Sequence, residues 1–447
     1  MTVNNDMTKG TPWKLIVLFT LPILAGQVLQ QLYNTVDSVI VGRFVSQTAL
    51  GAVGTCAPLT TLFVALAVGF STGACVIAAQ FFGGGKAAEL RRAASTVMVL
   101  VLVLGIAMTV LALVTAEPLL RDLLKVPEET LDLAVRYYRI YALGLVFQFV
   151  YNAAAALLRA VGDSRSSLLF VLISSAANIA LDLLLVAVIP MGVAGAAAAT
   201  VISQALSAGA AVVYMLRRYE SLRHRAGEPF FDGAMCRLVL KLGIPVSFQQ
   251  CVMALSSVLL QRLVNGYGSE MMAAYTAAGR LESYAILPCF AFSSGMATYV
   301  GQNMGAGETD RIRRGFRQTL AVSLGFCVAL SLGIFVFGGA LIRIFSLSGN
   351  AYEYARAYVS GMAAFFVLFA AYQVAAGTLQ GAGDVTFATG CTFVSLILRV
   401  AASYFFAFLT PLGYRGLWWA MPVAWASAAI LAYIRYFGGR WKNKGLV

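Results

Sequence analysis

The sequence has 447 residues, of which 60% are hydrophobic and 11% are charged, with a mean hydropathy of +0.81. Soluble domains carry about 25% charged residues, so this composition predicts a polytopic membrane protein whose main surroundings are the lipid bilayer. Its single histidine, His224, and the absence of a Cys-x-x-Cys pair among its seven cysteines argue against histidine catalysis, a zinc cluster and a disulfide framework.

Twelve apolar stretches, each about 20 residues or longer, predict twelve transmembrane helices. Their predicted limits are 14–42, 48–81, 92–115, 134–158, 166–189, 192–216, 238–265, 272–302, 315–338, 356–378, 386–409 and 415–437. The first, second, seventh and eighth stretches are longer than a bilayer requires. We therefore expect tilt, or kinks at Pro22, Pro58, Pro245 and Pro288.

The basic residues predict the orientation in the membrane. Twenty-one lysine and arginine residues fall on one side of the predicted helices and nine on the other, with the largest cluster between Arg217 and Lys241. The positive-inside rule places the richer side, and with it both termini, in the cytoplasm. The net charge of +13 is thus explained by topology in the inner (cytoplasmic) membrane, and no nucleic-acid partner is expected.

The chain also contains an internal repeat. The segment GFSTGACVIAAQFFGGGKAAELRRA resembles AFSSGMATYVGQNMGAGETDRIRRG, with Gln80 aligned to Gln302 at a separation of 222 residues. The later segments LLRAVGD and TLQGAGD are 221 residues apart. A nearly constant separation across six helices predicts two homologous six-helix lobes.

We place the N-terminal lobe at 1–220, a cytoplasmic linker at 221–236 and the C-terminal lobe at 237–447. Duplicated bundles are typical of secondary transporters, in which substrate binds between the halves. The glycine segments FFGGGK and NMGAGE do not match a phosphate-binding loop, and their repetition indicates tight turns. We therefore expect no nucleotide cofactor and no enzymatic activity.

Polar residues that occur in only one half predict the site. Asp37, Asn178, Asp182 and Thr200 fall within apolar helices of the first half at similar predicted depths. Their counterparts in the second half are Leu259 or Leu260, Arg399, Ser403 and Met421. Buried acids of this kind suit either a shared proton or a hard cation such as sodium, with Asp37 and Asp182 as the sodium ligands. Separate structural hydrogen bonding is the alternative.

A substrate cavity is predicted from polar and aromatic residues that can bind flat organic cations through stacking and cation-π contacts. Glu282 either binds a cationic substrate or pairs with Arg399 across the bundle. The predicted cavity residues are Gln30, Tyr33, Tyr151, Gln250, Glu282, Tyr284 and Arg399.

The segments QQLYNTVDSVIVGR, LGAVG and GVAGAAAAT, together with the paired loops QFFGGG and QNMGAG, and LRAVGD and LQGAGD, resemble those of the multidrug and toxic compound extrusion (MATE) transporters. The resemblance covers essentially the whole chain. It implies an all-α fold of twelve helices in two pseudo-symmetric lobes, and export of amphipathic organic cations in exchange for protons or sodium. It also implies an N-lobe ion site at Asp37, Asn178, Asp182 and Thr200.

One bacterial branch of that family carries acids in its seventh and tenth helices, whereas the corresponding segments here contain none. This difference favours the N-lobe site unless Glu282 substitutes.

A lipid-linked saccharide flippase of the same superfamily is the alternative function, although only Arg280 and Arg399 are available for its cavity. An intramembrane enzyme would require a catalytic group beside VGD or AGD that the sequence does not offer. The expected protein is a monomeric multidrug antiporter.

Overall fold

The computed structural model describes residues 6–343, 345 and 347–446, and within them the chain forms fourteen α-helices and no β-strand. The helices are α1 (Pro12–Phe44), α2 (Gln47–Gly83), α3 (Ala87–Pro118), α4 (Glu128–Ala142), α5 (Leu145–Ala160), α6 (Arg165–Asp182), α7 (Val193–Arg218), α8 (Gly233–Asn265), α9 (Ser269–Gly305), α10 (Thr309–Arg343), α11 (Gly349–Ala363), α12 (Phe366–Gly381), α13 (Val385–Leu409) and α14 (Gly416–Phe437).

Two pairs of helices are bent spans. α4 meets α5 at 43°, and α11 meets α12 at 49°. Counting each pair as one span, the fourteen helices give the twelve segments that the sequence predicts. Eight single helices and both bent pairs are long and apolar enough to cross a membrane. The helices containing Pro22, Pro58, Pro245 and Pro288 run without interruption through these prolines.

The bends differ from the sequence prediction, which has unbroken helices over 134–158 and 356–378. The first break contains Gly144, and the second lies at Ala364 and Phe365, where neither glycine nor proline marks it. The two breaks lie 221 residues apart, so the bend in the backbone is repeated at equivalent positions of the two halves. The second bend therefore follows from the repeated architecture and not from a local helix breaker.

The glycine turns repeat as well. Gly85 and Gly307 have φ angles of +68° and +75°, and Gly162 and Gly383 have φ angles of +86° and +91°. Residues with a side chain rarely adopt this left-handed conformation, so glycine at these positions ends each helix in a tight turn. The segments FFGGGK and NMGAGE are thus turns, in agreement with their repetition in the sequence.

The described chain divides into two compact units. The first contains residues 22–250, and the second contains residues 6–21 together with the chain from residue 251 onward. α1 and α8 therefore each contribute residues to both units. The lobe bounds at 220 and 237 describe the sequence repeat and stay a prediction, and residues 1–5 and 447, which those lobes include, lie outside the described residues.

In the second unit, α12 crosses α9 at very close range. A Cβ atom on Gly377 would lie 2.3 Å from the carbonyl oxygen of Ser293, and one on Gly381 would lie 2.3 Å from that of Ala297. These atoms belong to the backbone, so no side-chain rotation relieves the overlap. Glycine at both positions sets the distance between the two helices.

We predict that Gly377→Ala lowers the thermal unfolding midpoint of the detergent-solubilised protein, by about 1–3 kcal/mol in free energy, because α12 must move away from α9. The matched control is Gly390→Ala in α13, where no atom lies within 4 Å of the added Cβ. That change is expected to be neutral or stabilising by about 0.5–1 kcal/mol. Equal midpoints for the two variants would contradict the close crossing.

The segment that follows α7 is anchored to the first unit. Glu228 accepts hydrogen bonds from the Arg91 side chain, with 2.9 Å between Nε and Oε1, and the two side chains are only 16% and 11% exposed. Leu222 is buried, and the Asp232 amide donates to the Thr96 hydroxyl at 3.0 Å. The hydrogen bonds from Arg91 hold the pKa of Glu228 below its usual value.

We predict that Glu228→Gln speeds trypsin cleavage after Arg223 and Arg225, because the segment loses its charged anchor. The matched control is Glu220→Gln, an exposed glutamate of the same segment. Since the folded-state pKa of Glu228 is lowered, the contribution of the pair is present at neutral pH and is lost as the pH falls through that pKa. Unchanged cleavage rates in Glu228→Gln would show that the pair does not hold the segment.

Candidate functional site

Two predicted acids meet in the first unit. Asp37 lies in the second half of α1, Asp182 is the last residue of α6, and their carboxyl groups are neighbours that interact electrostatically. Asp182 is completely buried, and Asp37 is half-buried. The structure thus brings together two carboxyl groups that are 145 residues apart in the sequence.

These carboxyl groups lack the partners that buried acids normally have. Among the described residues, no group donates a hydrogen bond to Oδ1 of Asp37 or to either carboxyl oxygen of Asp182. Within the part of the chain that the structure describes, no lysine or arginine is among the groups that act on either side chain. Two ionised carboxylates in contact repel each other, so the pair requires a shared proton or a bound cation.

Asn178 is a neutral polar residue on the same helix as Asp182. It is one helical turn before Asp182 on α6, is 1% exposed, and neither its amide oxygen nor its amide nitrogen has a hydrogen-bond partner in the described chain. Thr200 on α7 is arranged differently, because its hydroxyl donates to the Ala196 carbonyl of its own helix at 3.1 Å. The structure therefore groups Asn178 with the acids more directly than Thr200, and the roles of both stay predictions.

Tyr137 is a neighbour of the acids that the sequence argument missed. It is a buried residue of α4, 7% exposed, and it interacts electrostatically with both Asp37 and Asp182. The predicted site residues are polar residues that occur in one half only, whereas Tyr137 has the counterpart Tyr358 in the second half. A search for hydroxyl groups present in both halves would have found it.

The backbone is unusual directly after Asp182. Residues Leu183–Val188 form a wide π-helical turn, whereas the equivalent stretch 404–409 in the second half continues as ordinary α-helix within α13. π-helical turns occur frequently at functional sites because they change the direction of neighbouring side chains. The asymmetry of the two halves thus extends from the side chains to the backbone.

A polar cavity lies near the acids in the same unit. Its volume is about 30 Å³, and the predicted residues Gln30, Tyr33 and Tyr151 line it. The remaining lining residues are Gln148, Val171, Ser174, Gln204 and Ser207. Tyr33 lines the cavity together with Gln30 and is one helical turn from Asp37, so it connects the cavity with the acid pair.

The other predicted cavity residues are not part of this group. Glu282 and Arg399 belong to a cluster in the second unit, where Glu282 accepts a hydrogen bond from the Tyr358 hydroxyl. Arg399 acts on Glu282 electrostatically, and in the described chain the two form no direct ion pair. Tyr284 is 39% exposed and Gln250 is half-buried. The predicted cavity set therefore divides between two places, and its role in substrate binding stays a prediction.

The chain matches the family model MatE twice, over residues 22–184 and 245–405, in agreement with the internal repeat. It is 31% identical over 443 residues to the probable multidrug resistance protein YpnP of Bacillus subtilis, covering 98% of this chain and 97% of the relative. The probable multidrug resistance protein NorM of Thermotoga maritima is 24% identical, with coverage of 97% and 94%. A MATE protein crystallised in complex with MaL6 superposes with a TM-score of 0.93 at 23% identity, covering 99% of this chain and 100% of that one.

We predict that Asp182→Asn raises the thermal unfolding midpoint in sodium-free buffer at neutral pH or above. The substitution removes one of two repelling charges and supplies an N–H donor to Asp37, a charge-assisted bond of about 1–3 kcal/mol. The midpoint is measured by thermal unfolding of the detergent-solubilised protein.

Asn178→Asp is the matched control on the same helix face, because it adds a third carboxylate where Asp182→Asn removes one. This variant is expected to be less stable than the wild type. A lower midpoint for Asp182→Asn together with an unchanged midpoint for Asn178→Asp would show that the two carboxyl groups do not repel each other.

Proposed function

This chain belongs to the MATE family of membrane transporters, and on that premise we propose that it is a secondary active antiporter that exports amphipathic organic cations in exchange for protons or sodium ions. In this proposal it acts as a monomer in the cytoplasmic membrane, with both termini in the cytoplasm. It requires no cofactor and catalyses no covalent step.

The observation that carries the proposal is the contact between Asp37 and Asp182 without a basic partner. An acid pair that needs a proton or a cation for stability can be loaded from one side of a membrane and unloaded to the other. Carboxylate and amide oxygens, including that of Asn178, suit a proton and a sodium ion equally, because both are hard cations. Loading at the outer side uses the ion gradient, and unloading at the cytoplasmic side restores the negative charge.

Coupling to the substrate follows from the position of the cavity. Tyr33 lines the cavity and lies one turn from Asp37, so a cationic substrate near Tyr33 is attracted when the acids are charged. Ion binding at the acids removes that attraction and favours release of the substrate. This competition requires only electrostatics, with Tyr151 and Gln30 supplying the wall of the cavity.

The names of the relatives support the substrate class. Two relatives, YpnP and NorM, are described as probable multidrug resistance proteins. Aromatic walls such as those of Tyr33 and Tyr151 suit varied organic cations, because cation-π contacts depend little on the exact shape of the ligand. We therefore infer a broad set of amphipathic cations for this chain.

We predict that Asp37→Asn slows ethidium transport into everted membrane vesicles by about 10-fold or more, because the coupling free energy between ion and substrate is lost. Proton and sodium gradients are imposed separately, so that the wild-type response also identifies the coupling ion. Transport is followed by ethidium fluorescence and normalised to the amount of protein in the vesicles.

The matched control is Asp122→Asn, which neutralises an exposed aspartate outside the acid pair and is expected to retain the wild-type rate. Wild-type transport by Asp37→Asn under both gradients would rule out the proposed role of the acid pair. A wild-type protein that exchanges ethidium without either gradient would rule out ion-coupled export.

A further inference from the structure

We propose that Arg399 is a tethered cation: it supplies permanently, in the second half, the positive charge that the first half takes from solution. This inference deepens the proposed function and rests on it. Its consequence is that the cluster around Glu282 binds no exchangeable ion, so that Asp37 and Asp182 are the ion-exchanging site of the transporter.

The positions of the residues give the first argument. Arg399 occupies the position equivalent to Asn178, and Tyr358 occupies the position equivalent to Tyr137, both at a separation of 221 residues. The cluster of the second unit therefore stands at the place that corresponds to the ion site of the first. Its carboxylate comes from another helix, because Glu282 lies on α9.

The contacts within the cluster give the second argument. Glu282 accepts a hydrogen bond from the Tyr358 hydroxyl and interacts electrostatically with Arg399. Tyr275 interacts electrostatically with Arg399, and its ring centroid lies 5.8 Å from that of Tyr358 in an edge-to-face arrangement. The ring centroid of Trp418 lies 4.7 Å from that of Tyr358, also in an edge-to-face arrangement. Aromatic residues thus hold the acid and the base in one group.

The surroundings of Glu282 are otherwise apolar. The small cavity beside Glu282 and Tyr358 is lined, apart from these two, by Ala278, Leu281, Ala285, Ile334, Val359, Met362 and Phe366. A carboxylate in such a place requires a nearby positive charge, because burial of an isolated charge is costly. Arg399 is the basic residue that acts on Glu282 in the described chain.

The chemistry of arginine gives the third argument. A guanidinium group stays protonated in proteins, so Arg399 cannot be loaded and unloaded as a proton site can. Because Arg399 is part of the chain, its charge also cannot be released to either side of the membrane. The second half further lacks the second acid, since the residue equivalent to Asp182 is Ser403, whose hydroxyl donates to the Arg399 carbonyl at 2.8 Å.

The test counts the ions bound by the purified full-length protein in detergent. Protons are counted by titration against a reference variant, and sodium is counted by equilibrium dialysis with ²²Na⁺. Arg399→Asn installs the residue of the first half and is expected to add one bound ion per protein, because Glu282 then lacks its cation. Adding Glu282→Gln to that variant is expected to remove the extra ion.

Arg399→Lys keeps the positive charge, so it is expected to bind the same number of ions as the wild type. A merely structural role of the guanidinium group would not explain that result. Glu282→Gln alone is also expected to leave the count unchanged. A loss of one ion in Glu282→Gln would overturn the inference, because Glu282 would then be an ion ligand itself. This arm decides the question even where Arg399→Asn fails to fold.

The same experiment separates this inference from the proposed function. In the double variant Asp37→Asn with Asp182→Asn, the bound ion is expected to be lost, and adding Arg399→Asn is expected to restore one ion. A double variant with the wild-type count would contradict the proposed ion site. A folded Arg399→Asn protein that gains no ion in either background would contradict the tethered cation and leave the acid pair unaffected.

Discussion

The contact between the carboxyl groups of Asp37 and Asp182 is the interaction on which the rest of the molecule depends. Two acids in contact inside a membrane protein are unfavourable unless a proton or a cation joins them. The fold brings them together from α1 and α6, and the described part of the chain places no basic partner beside either.

The two halves share one arrangement of helices but differ in the polar groups that accompany their carboxylates. Tyr137 and Tyr358 stand at equivalent positions, each beside a carboxylate. The first unit carries Asn178, whose amide atoms have no hydrogen-bond partner among the described residues, whereas in the second unit the equivalent position carries Arg399. The duplication therefore provides a reference within the molecule, against which each polar residue is compared.

Much of this structure follows from the sequence, because lipid imposes simple constraints. Long apolar stretches must be helical to satisfy their backbone hydrogen bonds, and the constant separation of the repeats predicts two similar halves. The pairing of Asp37 with Asp182 was also predictable, since each is an acid in an apolar helix that its counterpart in the second half lacks. Their predicted depths agreed without any knowledge of the packing.

The features that the sequence argument missed depend on packing. Tyr137 was missed because only polar residues that occur in one half were selected, and the counterpart of Tyr137 is also a tyrosine. The π-helical turn over Leu183–Val188 contains only ordinary helix-forming and β-branched residues, and the bend before Phe366 has no helix breaker. The predicted cavity residues were chosen by type, so Gln30, Tyr33 and Tyr151 came together while Glu282 and Arg399 lay elsewhere.

The fixed charge of Arg399 affects how the membrane voltage acts on transport. With Glu282 and Arg399 neutral as a group, the charge moved in each cycle is set by the acid pair and the substrate alone. One monovalent ion exchanged for one monovalent organic cation moves no net charge, and the membrane voltage then does no work. Two such ions carry one charge inward, to which the voltage adds about 2.3 kcal/mol per 100 mV. The voltage dependence of export therefore reports the stoichiometry of a single site.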